Sequence, residues 1–126
     1  WWHALAPDVR CGRVQLWVAV LDGRVAGTAL LRIDEPPNTH RADINKLMVH
    51  RGARGTGLGR ALLAAVERAA AETGVTLLLL DTETGTYADG FYRSAGWTEI
   101  GTVPDHAVDP AGRLTPTTFF YKGLPR

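Results

Sequence analysis

A chain of 126 residues, 45% hydrophobic and 21% charged, has the makings of one packed domain, and 14 Lys and Arg against 13 Asp and Glu leave a net charge of +1 that excludes nucleic-acid binding by bulk charge. The single cysteine, Cys11, excludes an internal disulfide and a thiolate-rich metal site, and no apolar run approaches the ~20 residues of a membrane span. The neutral total conceals a local +4 between Arg41 and Arg60, where five basic residues stand against Asp43, and an anion-binding segment is expected there.

Trp1, Trp2 and Leu5 recur at helical spacing, which reads as the tail of a helix and predicts that the natural protein begins earlier. Residues 14–21 and 24–33 are apolar strand runs separated by Asp22-Gly23, the turn pair of a tight hairpin, because both central positions need positive φ. Asp34 to Arg41 is polar, carries Pro36-Pro37 and reads as a surface loop. Ala42 to His50 reads as a strand with Ile44, Leu47 and Val49 inward. Its alternation slips by one between Ile44 and Leu47, which predicts a β-bulge.

Gly52, Gly55, Gly57 and Gly59 then interrupt regular structure, and Leu58, Ala61, Leu62, Ala65, Val66 and Ala69 recur at three and four. That spacing predicts an amphipathic helix stopped at Thr73-Gly74. Val75 to Leu80 is wholly apolar and reads as a strand buried on both faces, joined to the preceding strand by a right-handed crossover and parallel to it. A short helix is predicted from Tyr87 to Ser94, stopped by Gly96, and two further strands at Thr98–Val103 and Thr117–Lys122, connected through Pro110-Ala-Gly112. With no internal repeat or linker, residues 1–126 read as a single α/β domain.

The segment Arg51-Gly-Ala-Arg-Gly-Thr-Gly-Leu-Gly-Arg60 lies between a strand and a helix. Glycines let backbone N–H groups approach a ligand, the helix N-terminus adds about half a positive charge, and arginines suit phosphate oxygens. The expected ligand is a phosphate or pyrophosphate. A P-loop would need Lys and then Ser or Thr after the last glycine, where Arg60-Ala61 stands. A dinucleotide-binding loop would need a third glycine where Arg60 falls, although Asp81 stands near the place of its ribose-binding acid.

Arg54-Gly-Thr-Gly57-Leu-Gly59 resembles the Arg/Gln-x-x-Gly-x-Gly/Ala signature of the GNAT superfamily of N-acetyltransferases, and Ala88, Phe91-Tyr92 and Gly96-Trp97 resemble that family's later Ala-x-x-Leu-Tyr-x-x-x-Gly-Phe segment. Asn38 to Asp43, Asp81-Thr82 and the closing Thr117 to Lys122 are most similar to the tabtoxin-resistance acetyltransferase branch. The resemblance implies the GNAT fold: a mixed, mostly antiparallel sheet with a central parallel strand pair splayed at a bulge, helices on both faces, and a first strand and most of two helices upstream of Trp1. It implies acetyl-CoA as co-substrate. Arg54, Gly55, Thr56, Gly57, Leu58, Gly59 and Arg60 would hold its pyrophosphate. Leu47, Met48 and Val49 would pair with its pantetheine arm, the bulge presenting an N–H near Met48 or Val49 to the thioester carbonyl.

Direct transfer to an amine needs an acid for the departing thiolate. The resemblance assigns this to Tyr92, and a phenol near pKa ~10 suits a comparably basic thiolate. Asp81, eleven residues earlier, matches the branch's base, with Asp43 as the competing position. Lys46 and His40 are possible acceptor-site residues, while His50 and His106 are assigned no role. Gly85 stands where many relatives carry an Asn, with Thr82 or Thr84 as its replacement. The expectation is a cytoplasmic N-acetyltransferase, monomer or homodimer, acting on a small-molecule amine without a metal. A non-catalytic acyl-CoA-binding module and a protein N-acetyltransferase are the alternatives.

Overall fold

Residues 13–21, 23–50, 52, 55 and 57–125 are described by a computed structural model. Trp1, Trp2, Leu5, Cys11, Asp22, Arg51, Arg54 and Thr56 lie outside the described residues. The chain divides into two compact units, Trp1–Leu78 with Leu124–Arg126, and Leu79–Gly123.

In the first unit, β1 (Val14–Leu21), β2 (Arg24–Ile33) and β3 (Arg41–Val49) lie side by side in that order, each antiparallel to the next. The expected hairpin joins β1 to β2, with Gly23 at φ 76°, where an L side chain would strain the turn. The expected bulge is present. Met48 pairs with Thr28 and Asn45 with Leu30, so Lys46 and Leu47 both stand opposite Ala29. The extra residue keeps Ala42 and Ile44, opposite Ile33 and Leu31, on the same face as Val49, opposite Gly27. Without it the apolar set would divide between the two faces.

Helix α1 (Leu58–Glu72) packs against all three strands. A Cβ on Gly27 would stand 3.1 Å from the Met48 carbonyl oxygen and 3.4 Å from Leu62 Cδ2, so glycine lets both the bulged strand and the helix close on β2. The buried face of α1 is Leu62, Leu63, Val66 and Ala70, about one residue later than the alanine-rich face read from periodicity. Ala61 is exposed and Leu63 buried, because burying a leucine removes far more apolar surface from water than burying an alanine.

The helix ends as glycine predicts. Gly74, at φ 90°, donates to the Ala71 carbonyl and Val75 to the Ala70 carbonyl, the paired bonds of a Schellman motif with Val75 and Ala70 buried together. Val75 is thereby committed to the helix stop. The next strand, β4, accordingly runs Leu77–Glu83 instead of beginning at Val75, and Asp81 lies within it instead of ending it.

The second unit takes β4 from Leu79 onward, with strand order β4-β6-β5. Helix α2 spans Tyr87–Ser94, and β5 (Thr98–Val108) and β6 (Leu114–Gly123) are antiparallel. Both strands are longer than the alternation predicted. Pro104, Asp105 and His106 stand between the pairs Val103–Thr117 and Ala107–Thr115, opposite Pro116 alone, and this three-residue bulge hides the continuation of the ladder. The tip is closed by Asp109, whose carboxylate accepts from the Ala111 and Arg113 N–H groups. Phe120, Tyr92 and Trp97 form an aromatic core here. On β6 the buried Thr118 hydroxyl shares hydrogen bonds with those of Thr84 at 2.7 Å and Thr102 at 3.2 Å.

Candidate functional site

The first unit carries the glycine loop. β3 leaves its bulge with Leu47 and Val49 half-buried and Met48 exposed. The His50 N–H still pairs with the Ala26 carbonyl at 2.6 Å, and the Gly52 N–H turns back to donate to His50 Nδ1 at 3.1 Å. Gly55 and Gly57 hold φ of 81° and 82°, and at neither would a Cβ meet an atom of the described residues within 4 Å. Among the described residues nothing fills the space that side chains there would take.

Gly57 is also the N-cap of α1. It brings no side-chain cap, and the first turn holds no acid. The first intrahelical bond runs from the Ala61 N–H to the Gly57 carbonyl, so the preceding N–H groups, Leu58 and Gly59 among them, have no intrahelical partner. An α-helix left without a side-chain cap, with its positive dipole end at a glycine loop, has the donor set for a phosphate. Arg60 stands exposed on that first turn and adds a full charge.

The second unit carries the titratable pair. α2 ends in a second Schellman motif, with Gly96 at φ 90° donating to the Arg93 carbonyl and Trp97 to the Tyr92 carbonyl. This stop folds the Trp97 ring edge-on to Tyr92 at 5.9 Å, while Phe120 lies 6.0 Å away on β6. Tyr92 is 6% exposed. Burial, and then the negative charge of Asp81, push its phenol up to about 12, which keeps the hydroxyl protonated across the physiological range. Asp81 itself is exposed on β4, a carboxylate open to solvent yet close enough for Tyr92 to feel.

The remaining predicted positions divide clearly. Asp43 stands directly opposite Arg32 across the β2–β3 ladder, where a cation is its natural partner. Gly85, at φ 80°, donates its N–H to the buried Asp89 carboxylate at 2.9 Å, and Asp89 also holds Arg93, which pairs with Glu99 and lies over the Phe120 ring. The Thr84 hydroxyl is engaged with Thr118, and Thr82 is half-buried on β4. Sequence reasoning overlooked Asp89. Its i,i+4 spacing to Arg93 was legible, but its bond to the Gly85 turn is made only in the fold. It also passed over His50, whose contact with Gly52 has the i,i+2 spacing of an Asx-type turn.

Residues 2–97 match the family model described as the Acetyltransferase (GNAT) family. The chain belongs to this family. It is 32% identical over 107 residues to an IAA acetyltransferase of Azospirillum brasilense, a match that takes in 82% of this chain and 64% of that protein, so the chain spans less than two thirds of that relative's length. The crystal structure of the ribosomal-protein-alanine N-acetyltransferase from Brucella melitensis superposes with a TM-score of 0.83 at 30% identity, covering 97% of this chain and 76% of the other. The yncA structure from Salmonella typhimurium, described with its cofactor acetyl-CoA, has a TM-score of 0.84 at 23% identity, covering 98% of this chain and 72% of that one. The α/β GNAT fold expected from the order of motifs is therefore the fold found.

In this GNAT chain the coupling between Tyr92 and Asp81 is directly measurable. Replacing Asp81 by Asn removes the charge that disfavours tyrosinate, so the Tyr92 pKa is expected to fall below about 12. It should stay above the ~10 of an exposed phenol, because burial is the larger cause. Tyrosinate absorbance against pH, with Tyr92→Phe as the blank, reads the shift. Identical titrations for the parent and Asp81→Asn would show that Tyr92 does not sense Asp81.

Proposed function

We propose that the chain is an acetyl-CoA-dependent N-acetyltransferase that transfers the acetyl group directly to the amine of a small molecule. The observation that carries the reading is the buried, proton-bearing Tyr92 coupled to the exposed carboxylate of Asp81, since a module that only bound acyl-CoA would need neither. The loop supports the cofactor half. Gly55 and Gly57 present open backbone, and α1 begins without a side-chain cap, which fits a pyrophosphate. Arg54 and Thr56 are proposed to join Gly55, Gly57, Leu58, Gly59 and Arg60 there, and Leu47, Met48 and Val49 to hold the pantetheine arm.

Acetyl-CoA supplies an activated acetyl thioester. As the C–N bond forms, the attacking nitrogen becomes acidic and Asp81 accepts its proton, directly or through water. As the C–S bond breaks, Tyr92 gives its hydroxyl proton to sulfur. The two transfers reinforce each other. Once Asp81 is protonated, the charge that raises the Tyr92 pKa disappears, so the phenol becomes a stronger acid at the moment the thiolate needs a proton. Asp43, paired in register with Arg32, is the weaker candidate for the base.

The resemblance of Asn38 to Asp43 and of Asp81-Thr82 to the tabtoxin-resistance branch supports a small-molecule amine acceptor. A protein N-terminus is the second reading, favoured by the 30% identity to the ribosomal-protein-alanine N-acetyltransferase. Thiol release from acetyl-CoA, measured with the full-length protein against a panel of small amines and a panel of peptides with unblocked N-termini, separates the two. Turnover on amines alone is expected. Turnover on peptides alone would replace the acceptor, and saturable acetyl-CoA binding without any transfer would leave a binding module.

A further inference from the structure

We infer that His50 is a positioning residue for the pyrophosphate loop, acting through the lone pair of its ring nitrogen. The inference rests on the acetyl-CoA reading above and assigns one residue a part in it. His50 follows the last residue of β3, and its own N–H continues the ladder to the Ala26 carbonyl, so its Cα is held by the sheet. Two residues on, the Gly52 N–H finds its acceptor in His50 Nδ1 at 3.1 Å. A Cβ built on Gly52 would lie 3.5 Å from Nδ1 and 3.8 Å from Cε1, so the ring is seated against the Gly52 backbone.

Such a bond requires the proton on Nε2 and a lone pair on Nδ1. It reproduces with an imidazole the local turn that Asn or Asp makes with the N–H two residues ahead. The consequence is directional. The Gly52 N–H is turned back onto a sheet-anchored side chain, which fixes Gly52 at the entry to the glycine loop. At the loop's other end Gly57 caps α1 without a side-chain bond. Fixing Gly52 before binding spares acetyl-CoA the conformational entropy of fixing that residue.

The test uses three variants of the full-length protein. Asn carries Oδ1 on Cγ as His carries Nδ1, so His50→Asn keeps the acceptor. His50→Phe keeps the ring and loses the acceptor, and His50→Ala loses both. By calorimetry, His50→Ala and His50→Phe are expected to bind acetyl-CoA about five- to tenfold more weakly than the parent, and His50→Asn within about twofold of it. At saturating acetyl-CoA kcat should be the same in all four proteins, since the chemistry is untouched. Parent-like affinity in His50→Phe, or equal losses in His50→Asn and His50→Ala, would overturn the role of His50 and leave the proposed function standing. A parent protein that does not bind acetyl-CoA would overturn the proposed function and this role together.

Discussion

Tyr92→Phe is expected to lower kcat by about 10²- to 10⁴-fold, the range associated with losing a positioned general acid, while acetyl-CoA affinity stays within about twofold. The substitution isolates the proton. Phenylalanine keeps the ring between Trp97 and Phe120 and removes one oxygen from an apolar cluster, a change that costs little stability when no buried partner is stranded. Steady-state rates at saturating acetyl-CoA, with calorimetry on the same samples and a thermal unfolding midpoint, distinguish lost chemistry from lost fold. A variant that keeps a third or more of the parental kcat would remove Tyr92 as the acid. The pH profile adds a check on sign. Tyr92 acts while protonated and loses its proton only near about 12, so a fall in rate that sets in well below that pH has to come from another group.

Gly57→Val is expected to weaken acetyl-CoA binding about thirtyfold or more. Two effects act in the same direction. Gly57 sits at φ 82°, where an L residue with a branched Cβ costs about 1–2 kcal/mol. The new side chain would also occupy the open space in front of the helix N-terminus, where phosphate oxygens are proposed to lie. Gly57→Ala carries most of the backbone strain with less bulk and should fall between the parent and Gly57→Val. Calorimetric titration with acetyl-CoA reads both, and a thermal midpoint reports the strain that reaches α1. If Gly57→Val bound acetyl-CoA as the parent does, the loop would not be the pyrophosphate site.

Much of this architecture was legible because local rules and tertiary demands agree. Asp22-Gly23 marked a hairpin that forms, Gly74 and Gly96 marked helix stops that both close as Schellman motifs, and a one-residue slip in apolar alternation located the bulge at Lys46-Leu47. Each signal is a direct constraint on backbone φ or on which face a side chain takes. The errors share a different cause. Val75 looked like a strand residue, but its N–H is used by the stop of α1. β5 and β6 looked short, because a three-residue bulge opposite Pro116 breaks the period on which strand reading depends.

The candidate site shows the same division. Residue type marked the glycine loop as an anion-binding candidate, whereas Tyr92 and Asp81 were picked out by the resemblance to the family's motifs. What sequence left open was environment. Asp81 was the candidate base and Asp43 its competitor, and only the fold places one where it raises the Tyr92 pKa and the other opposite Arg32. His50 was one histidine among four until its ring was found against Gly52. Residue type determines which reactions a side chain can enter. Its pKa, its partners and the direction of its lone pair are decided by neighbours distant in sequence, and those exist only once the chain has packed.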